Sequence, residues 1–538
     1  MFRPRSATIL FLGFILAATV LSTASTAPPE ASAPRNSSIR KEDMKADLLF
    51  LTSDLLKGRL TGTPEVGLAA EFIKARLERT GLRGAGPGDS FFQPFNLVTA
   101  TIGTDNELDI VLDGNRTLRP RCGQDYYPHR FSASGTARGP LAYAGFGIRP
   151  ADFGSSLKGA IVLVLDHEPG EFDPRSPFDG LISSEASFPF RKAILAQEKG
   201  ASGILFVQDV HNHPNSQDFE ASAKNYWPPA PPQVERFSLQ AWMDRIHIPA
   251  AQISPALAET LLAGTGRSLN ELALAAETEG GMKPVSVAGP VVEFTASVDR
   301  HVVKGVNVVG LIEGSDPKLK EEYVIVCAHH DHNGVINGQI QTGADDNISG
   351  VAAVMDIAEA YVLAAGDGLR PKRSILFASW DAEERGLLGA WAYAEHPLRP
   401  LEKTVAVLNM DMIGRDEEIL PGDDWRFRGL EIQDAARNRN SLNVLGLTRF
   451  PSLKSALDEA NLPFGLELKE KIDNNISQLL RRSDHWPFIQ KGVPGLWFLT
   501  GVHPDYHTTY DRPERLNWEK MERIARMVHQ MSWILANR

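Results

Sequence analysis

Apolar and polar positions alternate along this chain in three textures. Near the amino end, Ala69-Ala70-Glu71-Phe72-Ile73-Lys74-Ala75-Arg76-Leu77 repeats apolar positions at helical spacing and stops before Gly81. That pattern predicts helix within Met44–Thr80. Gly84–Gly88 marks a turn, and Phe91–Val98 and Leu108–Leu112 read as extended. From about Gly139 to Gly266 the texture changes. Strands are predicted at Ala160–Leu165, Ile204–Val207 and Ile248–Ile253, with helices at Phe190–Lys199 and Pro255–Leu262. This is an α/β unit of its own. From Val291 onward, short apolar runs at Val324–Ala328, Ser374–Ser379, Val405–Asn409 and Gly495–Leu499 alternate with helical patterns at Gly350–Ala365 and Gly386–Ala394. Unbroken apolar runs suit strands buried on both faces, and the alternation predicts an α/β fold with a mostly parallel, mixed sheet between helices.

The first residues read as an address. Arg3 and Arg5 precede the apolar run Ile9–Leu21, and small residues follow at Ser25-Thr26-Ala27. Residues 1–27 are therefore expected to be a signal peptide, with export to the secretory or periplasmic space. The Pro/Ala/Ser-rich start of residues 28–43 predicts a disordered spacer. At 538 residues, with 43% hydrophobic and 23% charged residues, the remainder has the composition of a soluble multidomain protein. The net charge of −11 and the lack of any dense Lys/Arg run exclude nucleic acid as the expected partner. No membrane association is expected after signal removal. Cys122 and Cys327 are too few for a thiolate zinc site or a disulfide framework, and they are not expected to pair.

Candidate chemistry gathers where the predicted strands end. Val324–Ala328 runs into His329-His330-Asp331-His332. A helix start follows Gly343-Ala344-Asp345-Asp346-Asn347. Ser374–Trp380 leads to Asp381-Ala382-Glu383-Glu384, Val405–Met410 leads to Asp411, and Gly495–Thr500 leads to a loop with His503 and His507. Ligands bind beyond the carboxyl ends of strands in such sheets. Imidazoles with carboxylates form the ligand set of an open zinc site, and two His with three carboxylates leave room for two ions. Asp331, two residues from His329, could orient it on a shared face. Glu383 and Glu384 are adjacent and should point differently, one toward metal and one free for proton transfer. Other candidates fail as sequence patterns. His167-Glu168-Pro169-Gly170-Glu171 starts like a helical zinc motif but lacks the second His and contains Pro and Gly. His211 and His213 have no carboxylate at ligand spacing and read as surface residues.

Taken together, Ala328–Asp331, Gly343–Gly350, Asp381–Gly389, Leu408–Gly414, Ser483-Asp484-His485 and Tyr506–Thr509 resemble metallopeptidase family 28, the co-catalytic di-zinc exopeptidases. Leu55–Gly62 is similar to that family's lead-in, and 136–270 resembles an inserted protease-associated domain. The resemblance implies two zinc ions and a zinc-exopeptidase fold divided into 44–135 and 291–538. It implies that Asp346 bridges the ions, that His507 and Glu384 complete one site, and that His329 and Asp411 complete the other. Glu383 would be the general base, Asp331 would orient His329, and Asp345 would be structural. One departure is visible: Leu479-Leu480-Arg481-Arg482 stand where some relatives place an oxyanion-stabilising Tyr, so that either zinc alone does that work or another donor such as His485 or Tyr506 contributes. The expected function is a secreted aminopeptidase acting on peptides. Alternatives are a carboxypeptidase, for which Arg481, Arg482 or Arg512 could hold a substrate carboxylate, a glutaminyl-cyclase-like enzyme, or a catalytically dead binding protein.

Overall fold

The computed structural model describes residues 32–538 except 113–115, 156, 216–217, 279–280, 423 and 471; the expected signal peptide, 1–27, lies outside the described residues. Two sheets carry the fold. Seven strands form the body of the larger: β1 (Phe92–Ile102), β2 (Val298–Ile312), β3 (Tyr323–His329), β4 (Ser374–Trp380), β5 (Thr404–Met410), β6 (Ser441–Leu445) and β7 (Gly495–Leu499). In space they run β6, β7, β5, β3, β4, β2, β1, with Glu467–Lys469 and Ser238–Leu239 on the two edges. The centre is parallel: β3 with β4 and β5, and β5 with β7. β1, β2 and β6 join antiparallel.

The central runs are apolar throughout because both faces are covered. Along β3 and β4, Val324, Val326, Ile375 and Phe377 enter one core, while Ile325, Cys327, Leu376 and Ala378 enter the other. This is the period-two alternation of a strand. The first core holds helices α1 (Lys41–Leu51), α2 (Pro64–Thr80), α3 (Gly350–Gly366) and α5 (Trp518–Asn537); the second holds α4 (Leu388–Glu395). The stretch Ala344–Gly366 is long and apolar enough to cross a membrane, but 78% of its apolar window is buried inside the fold. Its apolarity is that of a core helix.

The second sheet runs from Thr117–Leu118 through Glu107–Val111, Val285–Ala296, Gly135–Tyr143, Ile161–Leu165, Gly203–Val207 and Ala250–Ile253 to Tyr126–Pro128. The smaller α/β unit therefore spans about 107–296, not 136–270. Val285–Ala296 closes it by pairing with both Glu107–Val111 and Gly135–Tyr143. The boundaries at 135 and 291 gave these strands to the wrong sheet. The expected spacer also differs. Asn36 and Ile39 are buried, the Ala33 amide donates to Gln530 Oε1 (2.5 Å), and Asn36 Nδ2 donates to the Arg526 carbonyl (2.8 Å). Residues 33–43 are held against α5. Cys122 and Cys327 are both free thiols.

Candidate metal centre

The four parallel strands end side by side, and their carboxyl ends deliver the predicted residues to one place. His329 closes β3, Glu383 and Glu384 follow β4, Asp411 follows β5, and His507 lies in the loop after β7. Asp346 comes from the helical turn Ala344–Ser349 that opens α3. Behind them lies the lead-in segment. Arg59 is fully buried and donates to the carbonyls of His330 (2.8 Å), Leu51 (2.7 Å) and Thr342 (2.9 Å). Gly58 has φ +70°, and a Cβ there would stand 2.2 Å from the Gln341 carbonyl oxygen, so this close passage needs glycine.

Asp346 is central. Its Oδ1 stands 3.3 Å from His329 Nε2 and its Oδ2 stands 3.1 Å from His507 Nε2. His507 Nε2 is also 3.2 Å from Glu384 Oε2, and His329 Nε2 is 3.5 Å from Asp411 Oδ1. Ligand atoms on one tetrahedral zinc stand about 3.3–3.6 Å apart, given bonds of roughly 2.0–2.2 Å. Each carboxylate oxygen of Asp346 thus faces a different imidazole, Oδ1 at that spacing and Oδ2 slightly inside it. His329 Nε2 and Asp411 Oδ1 are buried without a hydrogen-bond partner. Orphaned polar atoms of this kind cost about 1–3 kcal/mol each unless something satisfies them. The donor set and its open valences fit zinc.

The surrounding contacts hold this arrangement. The Asp331 carboxylate accepts from the backbone N–H of Glu383 (2.9 Å) and Glu384 (3.3 Å) and from Thr61 Oγ1 (3.1 Å). Its Oδ1 is 3.6 Å from His329 Nδ1, while the hydrogen bond of that ring nitrogen goes to the Asp331 backbone oxygen at 3.2 Å. Asp331 therefore supports both His329 and the Glu383–Glu384 turn. Ser483 Oγ donates to Asp411 Oδ2 (2.5 Å). Asp345 faces away: its carboxylate accepts from the Gly414 N–H (2.6 Å) and contacts His503 Nε2 (3.2 Å). His503 belongs to that supporting pair.

His332 is a site residue that the sequence reading gave no role. It is buried, with Nδ1 2.7 Å from Glu384 Oε1 and 3.8 Å from Asp346 Oδ2. Its only sequence signal is its place at the end of the His329–His332 run. His330 points elsewhere, toward Ser379 Oγ at 3.1 Å.

Charge separates the two adjacent glutamates. Burial pushes Glu383 well above the usual carboxylate range; His329 opposes this and the charges of Asp411, Asp484 and Glu384 add to it. Burial also pushes Glu384 up, but His507 and His332 override it and hold Glu384 well below that range. Burial and the Glu384 charge push Asp346 up, and the contacts from His329 and His507 bring it to about 2. The centre forms the floor of a cavity of about 390 Å³, whose walls include Leu387, Met412, Arg482 and Tyr506.

Residues 307–532 match the family model of peptidase family M28. This part of the chain belongs to that family. M28 is a family of zinc metallopeptidases, and all the ligand candidates, His329, Asp346, Glu384, Asp411 and His507, together with Glu383, lie inside the matched stretch. Among curated proteins, the chain is 30% identical over 272 residues to the probable glutamate carboxypeptidase AMP1 of Arabidopsis thaliana, covering 49% of this chain and 34% of that one. It is 28% identical over 418 residues to the probable glutamate carboxypeptidase LAMP1 of the same plant, covering 71% and 54%. The chain thus spans about a third to a half of the length of these relatives. A solved aminopeptidase from Aneurinibacillus sp. strain AM-1 aligns with 93% of this chain and 95% of its own at 19% identity, with a TM-score of 0.48.

Proposed function

We propose that this chain is a secreted or periplasmic two-zinc exopeptidase that removes residues from the amino end of peptides. The observation that carries the two-metal reading is Asp346, with one carboxylate oxygen facing His329 and the other facing His507. His329 and Asp411 would hold one ion, His507 and Glu384 the other, with Asp346 shared. Zinc bound there supplies Lewis acidity for the scissile carbonyl and lowers the pKa of water toward neutrality.

The chain's own groups account for the remaining steps. Glu383 Oε2 lies 3.7 Å from His329 Nε2, at the edge of the ligand set and open to the cavity. Its raised proton affinity suits a base that takes the proton of the attacking water and returns it to the departing amine nitrogen. Water adds across the C–N bond, one product leaving as carboxylate and the other as amine. Tyr506, whose ring stacks on His507 with centroids 3.9 Å apart, also lines the cavity. Burial and the charges of Asp346, Glu384 and Glu383 keep its phenol protonated, so it can donate to a developing oxyanion.

Arg482 favours a second reading. Of the three candidate arginines, Arg481 donates to the Ser183 carbonyl and Arg512 to the Thr509 carbonyl. Arg482 lines the cavity, and among the described residues no carboxylate pairs with it. It could receive a substrate carboxylate, as a carboxypeptidase requires. One matched peptide series with free or blocked ends, followed by mass spectrometry on the zinc-loaded protein, separates the two. Loss of residues that requires a free amino end is expected. Trimming that requires a free carboxyl end would replace the first reading by the second.

A further inference from the structure

The second sheet has a ligand-binding edge of its own. Gly135–Tyr143, Ile161–Leu165, Gly203–Val207 and Ala250–Ile253 run parallel in that order, and the carboxyl ends of such strands are where ligands sit. The loop after Leu165 begins Asp166-His167 and reaches Glu171. The loop after Val207 reaches His213. Glu171 Oε1 stands 2.5 Å from His213 Nε2, and Glu171 Oε2 stands 3.3 Å from His167 Nδ1. The two imidazole centroids are 4.3 Å apart. One potential ligand atom from each of the three residues lies within 4.8 Å of the others. The second His that the His167–Glu171 motif lacks in sequence is therefore supplied by His213 from the neighbouring strand's loop, and the carboxylate that His213 lacked is Glu171.

The loops are fixed from behind. Lys192 is buried, and its Nζ donates to the carbonyls of Leu165 (2.7 Å) and His167 (2.6 Å). The Glu168 carboxylate accepts from the Ser184 N–H at 3.1 Å. Asp209 accepts from the His211 N–H (3.0 Å) and from Asn212 Nδ2 (2.7 Å), which sets the turn before His213. His167 has φ +63°, a left-handed backbone uncommon for a residue with a side chain, and the Lys192 bond holds that conformation in place. In front, His167, Glu171 and His213 border a cavity of about 800 Å³, across which lie Arg428, Arg481 and Arg482.

We propose that His167, Glu171 and His213 bind a further divalent transition metal, zinc foremost, outside the M28 centre. Two imidazoles and one carboxylate are a borderline-soft donor set, and three protein ligands leave a fourth position open to the cavity. Arg481 and Arg482 line both this cavity and the one above Asp346. The open position therefore faces the approach to the M28 centre, where water or a peptide carboxylate can complete the coordination.

The test is the zinc content of the full chain, loaded with zinc, desalted and measured by plasma mass spectrometry. His213→Ala and the near-isosteric Glu171→Gln are compared with the wild type, with folding checked by circular dichroism. Each is expected to hold about one equivalent less than wild type, and Asp346→Ala is expected to retain that equivalent. Because the readout is a difference, it stands whether or not the M28 centre holds two ions. Folded variants that bind as much zinc as wild type would overturn the site. Should both variants fail to fold, anomalous scattering from zinc-loaded wild-type crystals decides: a peak between His167 and His213 upholds the site, and no peak there refutes it.

Discussion

Glu383 and Glu384 are chain neighbours with opposite electrostatics. Glu384 lies between His332 and His507, at 2.7 and 3.2 Å, and is held as the anion. Glu383 faces the His329 imidazole at 3.7 Å and sits among the charges of Asp411 and Asp484. Their environments push them apart, which is how an acid–base group and a ligand can come from the same turn. Glu383→Gln is accordingly expected to lower peptide turnover by about 10²–10⁴-fold, the usual contribution of a positioned base, while bound zinc is unchanged. Because Glu383, His329 and Asp411 also form a trio within ligand reach of one ion, the control is informative. Loss of zinc in step with activity would make Glu383 a ligand and remove it from proton transfer.

At the scale of elements, the strands place the site and the helices cover the faces of the sheet. The long helix α5 buries most of its length, including His529, whose Nδ1 is 3.1 Å from Asn36 Nδ2 and whose ring packs edge-on to Tyr361. Burial pulls His529 down to about 3. Its ordinary value is about 6.5, so between these limits the unfolded chain binds a proton that the folded chain refuses. The folded value is depressed; the stability it contributes is complete above pH 6.5 and is lost as pH falls toward 3. One such imidazole adds a slope of about 1.4 kcal/mol per pH unit in that window. Urea unfolding at pH 6.0 and 4.5 should therefore show a fall in stability that is smaller by about 2 kcal/mol in His529→Gln than in wild type. An equal fall in both would mean that His529 does not titrate as a buried neutral group.

Across the whole molecule, what could be read from sequence divides along physical lines. The apolar runs of β3, β4, β5 and β7 were legible because burial on both faces leaves no polar positions, and the residues that follow them converge because those strands are adjacent in the sheet. Sheet membership was not legible. Glu107–Val111 and Val285–Ala296 look like strands of either sheet, and it is the pairing of Val285–Ala296 with both Gly135–Tyr143 and Glu107–Val111 that assigns them to the second. Long-range partners were equally hidden. The segment from Ala33 to Ile39 has a spacer's composition, yet its anchors are Arg526 and Gln530, nearly five hundred residues away. His213 looked like a surface residue because Glu171 is 42 positions from it and in another loop.

The central claim is that Asp346 is shared between two zinc ions. Anomalous scattering at the zinc edge from crystals of the zinc-loaded chain tests it most directly. The account predicts two peaks flanking Asp346, one among His329, Asp346 and Asp411 and the other among His507, Asp346 and Glu384. A single peak at this centre, or peaks that leave either Asp346 oxygen without a metal, would contradict it.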